Sequence, residues 1–275
     1  MPMKLIYGLF LIGCLSVQTI YGQGTASTPD KRMKLIWSDE FNINGLPDST
    51  KWSYDVGGHG WGNAEKQFYL AKSLENSFVK DGKLHIVALK KDYENLHYTS
   101  AKLTTYKKIV LQYGRIEVMA KLPAGKGTWP AIWMLPVTLI DKSENWPLCG
   151  EIDIMEHVGN NPNFVHVSLH SQLYNHIKGT QVTHFEKLDD VFDTFHKYAI
   201  DWTEQYIKFY IDDKLFYESY KGEDGRVATN EGWPFDKPYF LILNLAIGGG
   251  WGGEIDDAIF PCEMQVDYVR IYGDM

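Results

Sequence analysis

A chain of 275 residues that is 44% hydrophobic and 14% aromatic carries enough apolar side chain for one large core, so a single main domain is expected. Its net charge of −8, with no basic stripe set against it, repels phosphate backbones and excludes a nucleic-acid partner. Nine Trp and 17 Tyr supply rings that fill cores and also stack on the C–H faces of sugars.

The chain opens with Lys4 and an apolar run from Leu5 to Val17. That is the pattern of an export signal, and the run is too short to span a bilayer as a permanent helix. Residues 1–22 are read as this signal. Within it, Leu11-Ile12-Gly13-Cys14 resembles the bacterial lipobox, whose Cys becomes the lipidated first residue of the mature chain; an ordinary signal cut after Tyr21-Gly22 is the alternative. The expectation is export, either to the outer membrane or cell surface through a lipid anchor on Cys14, or to the periplasm or medium. Residues 23–34, polar and Pro-containing, read as a tether, and 35–275 as the folded domain, expected to be monomeric. Beyond Cys14 only Cys149 and Cys262 remain, and they are expected free and buried, since spacing does not show that they meet and a large core does not need a disulfide.

From Leu35 onward, short segments alternate with a period of two, and long amphipathic helical patterns are missing. Clear examples are Lys83–Leu89, Gly114–Lys121, His196–Trp202, Tyr206–Asp212 and Met264–Tyr272. Turn chemistry bounds them at Lys80-Asp81-Gly82, Pro123-Ala124-Gly125 and Asp212-Asp213. The fold class is therefore all-β, as two packed antiparallel sheets or a barrel. Three loops rich in Gly and Trp, 57–63, 125–129 and 248–253, combine close backbone approach with a stacking face and are candidates to line a groove.

The segment from Glu151 to Glu156, Glu-Ile-Asp-Ile-Met-Glu, sets three acids into an apolar stretch with the character of a buried strand, where a carboxylate without a function is costly. In a regular strand Glu151 and Asp153 share a face and Glu156 points the other way. A β-bulge at Ile154-Met155 would return Glu156 to the face of the other two. Two carboxyl groups flanking a glycosidic bond are the equipment of hydrolysis, one as nucleophile or base and one as proton donor. Asp153 between them would perturb the titration of both. Taken alone, three acids at this spacing also suit a calcium site or a solvated strand face.

The acidic segment, together with Gly114-Arg-Ile-Glu-Val-Met-Ala-Lys-Leu-Pro123 and Thr128-Trp-Pro-Ala-Ile-Trp-Met-Leu-Pro136, resembles glycoside hydrolase family 16 in its laminarinase-like branch. The likeness extends from Leu35-Ile-Trp-Ser-Asp-Glu-Phe41 through Gly60–Tyr69 and Asn244–Gly250 to Val266–Tyr272. It implies a jelly-roll β-sandwich of two antiparallel sheets with a concave substrate cleft. It also implies a retaining endo-β-glucanase acting on β-1,3-glucan (laminarin), mixed-linkage β-1,3/1,4-glucan, or both. By the same resemblance Glu151 is the nucleophile, Glu156 the general acid and then base, and Asp153 the assisting carboxylate. The branch with one extra residue between Asp153 and Glu156 contains laminarinases and agarases, in keeping with the bulge.

The resemblance further implies that Trp129, Trp133 and Trp146 floor the sugar subsites on the non-reducing side of the cut, with at least one of them expected to be core instead. It implies that Asn63 and Glu65 hydrogen-bond sugars and that His170 and Arg115 are polar cleft residues, although a salt bridge across the sheet explains Arg115 equally well. Catalysis needs no cofactor in this family; a structural calcium is frequent, and Glu40, Gly82 and Asp267 sit in the matching blocks. The competing readings are hydrolysis of another β-linked polysaccharide such as agar or porphyran, transfer to a sugar acceptor, and a non-catalytic glycan-binding jelly roll.

Overall fold

At Asp81-Gly82 and Asp212-Asp213 the chain reverses within two residues, with φ of 53°, 73°, 50° and 65°. Positive φ at both central positions defines the type I′ hairpin, whose twist matches the strands it joins. The computed structural model describes residues 33–273; the export signal, Cys14 and nearly all of the tether lie outside the described residues. In chain order the strands are β1 (Lys34–Asp39), β2 (Ser53–Tyr54), β3 (Gln67–Tyr69), β4 (Ser77–Lys80), β5 (Lys83–Tyr93) and β6 (Leu96–Ser100). There follow β7 (Lys102–Thr104), β8 (Gly114–Lys121), β9 (Thr128–Pro136), β10 (Glu151–Glu156), β11 (Phe164–His170) and β12 (Val182–Lys187). The last are β13 (His196–Trp202), β14 (Tyr206–Ile211), β15 (Lys214–Tyr220), β16 (Tyr239–Ile247) and β17 (Cys262–Gly273). Among the described residues the α-helices are single turns, α1 (Val137–Ile140) and α2 (Gly249–Gly252).

These strands form two sheets. Seven pair in the order β12-β11-β10-β9-β16-β7-β2, and ten form the other, β15-β14-β13-β8-β17-β5-β6-β3 with β1 added to β17 and β4 to β5. The pairing is antiparallel except between β3 and β6, which run parallel. One continuous core lies between the sheets. Leu84, Ile86, Ile116, Val118, Ile200 and Val269 face inward from the ten-stranded sheet, and Ile132, Met134, Ile152, Val165, Leu243 and Leu245 from the seven-stranded sheet. This is the sandwich the alternation predicts. Cys149 and Cys262 are both free and buried, as expected, and burial pushes each thiol up to about 12.

The five segments with the clearest alternation, β5, β8, β13, β14 and β17, all belong to the ten-stranded sheet. There one face meets the core and the other solvent, which is the condition for a period of two. The strands β9 and β16 read as nearly unbroken apolar runs because the second face of their sheet is lined with rings and aliphatic side chains as well.

Candidate active site

On β10 the expected bulge is present. Asp153 pairs with Trp133 of β9, and the next pair is Met155 with Ile132; against β11, Asp153 pairs with Ser168 and the next pair is Glu156 with His166. Ile154 and Met155 are both buried in the core, each stabilising this register by about 1.5–3 kcal/mol. An unbroken strand would instead drive the Glu156 carboxylate inward without a partner, at a cost of several kcal/mol. The bulged register therefore wins, and Glu151, Asp153 and Glu156 share the outer face of the seven-stranded sheet.

His170, opposite Glu151 in the pairing of β10 with β11, places its Nε2 3.8 Å from Glu151 Oε1 and 3.2 Å from Asp153 Oδ2. The second contact lies off the hydrogen-bond direction, so Asp153 Oδ2 has no donor among the described residues. Glu156 Oε1 accepts a hydrogen bond from Trp129 Nε1 at 3.0 Å. Burial, reinforced by the charge of Asp153, pushes Glu151 up to about 8 against the pull of His170. Burial and Asp153 likewise push Glu156 up to about 8, opposed by His170 and the Trp129 indole. Asp153 is raised well above the ordinary carboxylate range by burial. The three acids therefore hold fewer than three charges at neutral pH.

On the β9 side, Trp133 donates to Asn244 Oδ1 of β16 at 2.6 Å, and Asn244 donates to Tyr69 Oη at 3.1 Å. Tyr69 in turn donates to Glu65 at 3.3 Å, which also accepts from Gln67 at 2.6 Å and from Asn63 at 3.4 Å. Burial raises the Glu65 carboxyl. The buried Lys102 pairs with Asp55 at 3.1 Å and lies over two indoles, 4.3 Å from the ring of Trp61 and 4.9 Å from that of Trp133. Trp146 packs beside His170 and His176, and its Nε1 is buried with no acceptor among the described residues.

The three Gly/Trp loops meet at one end of this face. Gly248 donates to Gly127 O at 2.7 Å, and Gly250 to Asn63 O at 2.7 Å. Side chains cannot enter this junction. Gly127 has a φ of +92° and a Cβ there would lie 2.8 Å from Ile255 Cα, while Gly249 has a φ of +80° and would place one 2.8 Å from Asn63 O. The junction carries Trp251, whose ring meets that of Trp129 edge-on with centroids 5.5 Å apart.

The structure thus gathers Glu151, Asp153, Glu156, Asn63, Glu65, Trp129, Trp133, Trp146 and His170 around one face. All three tryptophans keep part of their surface exposed, so none is simply core. Arg115 is different. It sits on β8 of the opposite sheet, fully buried, and donates to Glu117 at 2.7 Å, Asp201 at 2.9 Å and Asp213 at 3.2 Å. The cleft assignment for Arg115 is therefore corrected to a cross-sheet ion-pair hub, because β8 turns Ile116, Val118 and Ala120 into the core and Arg115 to the outer face. Tyr69, Lys102 and Asn244 received no role from the sequence, whereas Trp251 belongs to a loop expected to line the groove. Asn244 had a signal, as the one polar residue in the apolar run Tyr239–Ile247.

The topology brings Glu40, Gly82 and Asp267 to one region of the ten-stranded sheet. Asp39 pairs with Val269, Gly82 precedes β5, and Asp267 is the residue skipped by a bulge in β17. As arranged, they do not fit a divalent cation, because Arg270 donates to both oxygens of Glu40, at 2.9 and 2.8 Å.

Comparison with known proteins agrees with this geometry. The family described as Glycosyl hydrolases family 16 matches residues 64–270. A Beta-glucanase of Rhodothermus marinus is 49% identical over 245 residues, spanning 87% of this chain and 85% of that protein. Glucan endo-1,3-beta-glucosidase A1 of Niallia circulans is 40% identical over 87% of this chain, which spans only 38% of that longer protein. The laminarinase structure from Rhodothermus marinus superposes with a TM-score of 0.84 at 48% identity, covering 90% of this chain and 98% of that one. With its jelly-roll sandwich, its bulged acidic strand and a family match over most of its length, the chain belongs to glycosyl hydrolase family 16.

Proposed function

We propose that this chain is a retaining endo-β-glucanase that cleaves internal bonds of β-1,3-glucan, mixed-linkage β-1,3/1,4-glucan, or both. The observation that carries the reading is the bulge of β10, which sets Glu151 and Glu156 on one face with Asp153 between them. In the first step a Glu151 oxygen attacks the anomeric carbon as the glycosidic C–O bond breaks, and the Glu156 proton passes to the departing oxygen. In the second, water attacks that carbon, its proton returns to Glu156, and the ester bond to Glu151 breaks. Burial keeps Glu156 protonated at neutral pH, as an acid must be. Attack needs Glu151 ionised, a form that burial opposes and that the charges of His170 and Lys102 favour, so the reactive fraction grows as pH rises toward about 8. The buried Trp146 Nε1 and the Glu65–Tyr69–Asn244 chain offer donors and acceptors to sugar hydroxyls, and the half-exposed indoles offer faces.

A sulfated galactan would call for a cation free to take sulfate. Lys102, which lies on this face, is already held by Asp55 and two indoles. Export, with a lipid anchor on Cys14, is proposed from the pattern of residues 1–22 alone.

The test is a product profile of wild type and Glu151→Gln on laminarin, mixed-linkage glucan, cellulose and agarose, with the anomer of the first product followed by NMR. Oligosaccharides from the first two substrates, released first as the β-anomer, and a variant that binds without turnover are expected. Binding by the wild type without turnover would refute hydrolysis, and cellulose as the main substrate would overturn the linkage.

A further inference from the structure

The edge strand β12 has an anomaly. Its side chains alternate between half-buried Val182, His184 and Glu186 and exposed Thr183, Phe185 and Lys187. Water-facing positions on an edge strand ordinarily carry polar or charged residues, yet Phe185 is 57% exposed. Its position in the sheet is specific. Glu156 pairs with His166 and His166 with Phe185, so the three lie in one row across β10, β11 and β12 on the face that carries the acids. Two strand spacings put Phe185 about 10 Å from Glu156 along that row.

Rings fill the interval. Trp129, which donates to Glu156, meets Trp251. The Trp251 ring lies 5.0 Å from His166, His166 lies 5.7 Å from Phe185, and Phe185 lies 5.6 Å from Phe164. His166 Nε2 is buried among these rings with no hydrogen-bond partner among the described residues. A pyranose with its linkage spans about one strand spacing, so a glucan that crosses from β10 over β11 sets its second unit past Glu156 over β12. We infer that Phe185 is the stacking platform of a subsite on the leaving-group side of the cut, taking the C–H face of the second glucosyl unit there, with His166 beneath the first.

This rests on the glucanase reading. The experiment compares wild type, Phe185→Ala and Phe185→Tyr on laminarin and on an aryl β-laminaribioside whose leaving group is a phenol with no sugar beyond the cut. Loss of one aromatic–sugar contact is expected to raise KM on laminarin about three- to tenfold in Phe185→Ala. Phe185→Tyr should restore it, and the aryl substrate should give unchanged kcat/KM in all three proteins. Unchanged laminarin kinetics in Phe185→Ala would overturn the proposal. So would an equal loss on both substrates, which is what mere packing against Phe164 predicts. A wild type inactive on both substrates would defeat the glucanase reading itself, a result distinct from either.

Discussion

The acids of the bulged strand should cost the fold stability, and Glu151→Gln makes that cost measurable. The side chain keeps its shape and loses only its charge. A rise of the Glu151 carboxyl from 4.5 to about 8 corresponds to about 5 kcal/mol between the two protonation states. Two features reduce the realised figure: the side chain is 18% exposed and so partly hydrated, and its proton is shared with Asp153 and Glu156. About 1–3 kcal/mol is expected. The sign follows from proton binding. Between pH 4.5 and about 8 the folded state holds the Glu151 proton and the unfolded state releases it, so wild-type stability falls as pH rises through this window. The glutamine variant escapes that fall. Urea denaturation of both proteins from pH 4 to 9 should show nearly equal stability at the acid end and a gap in favour of the variant that widens to a plateau near pH 8. A gap independent of pH, or one that widens on acidification, would refute burial as the cause of the shift.

Glu156→Gln should lose about 10²- to 10⁴-fold in kcat on laminarin, where the departing sugar needs a proton, but far less on a dinitrophenyl glycoside, whose leaving group does not; steady-state kinetics on the pair checks this. Lys102→Met removes a charge that lowers the carboxyls of both Glu151 and Glu65 and frees the Trp61 and Trp133 rings. It should move the acidic limb of the kcat/KM profile to higher pH and raise KM, with Lys102→Arg recovering part of each. Arg115→Met leaves Asp201 without its cation and Glu117 and Asp213 with Lys197 alone, and should cost about 3–5 kcal/mol in urea denaturation, while the folded fraction keeps wild-type kcat.

Where the sequence was legible follows from what covers each strand. The ten-stranded sheet has water on one side, and its alternation can be read directly from β5, β8, β13, β14 and β17. The site sheet hides its period because Trp129, Trp133, Phe240 and Ile242 line its second face. Glu151, Asp153 and Glu156 were still visible, since acids in an apolar run are conspicuous and the bulge is demanded by their odd spacing. Lys102 and Tyr69 were not, and Asn244 showed only as a lone polar residue, because their meaning comes from β16 pairing with β9, β7 with β16, and β3 arriving from the other sheet. Arg115 misled for a related reason: a polar residue in an alternating strand reads the same on either sheet, and only the pairing of β8 with β13 and β17 decides between cleft and ion-pair hub.

The bulge in β10 also makes this strand tolerant of a kind of change that strands usually resist. Removing one residue from a regular strand reverses the parity of everything after it. Here the segment is already odd and the bulge absorbs the remainder, so deleting Met155 leaves Glu151-Ile152-Asp153-Ile154-Glu156, a regular strand with its three acids still on one side. What such a deletion removes is a fully buried side chain, a loss of about 2–5 kcal/mol borne by the core. Chain length in this strand is thus a matter of stability, and the alignment of the acids survives it.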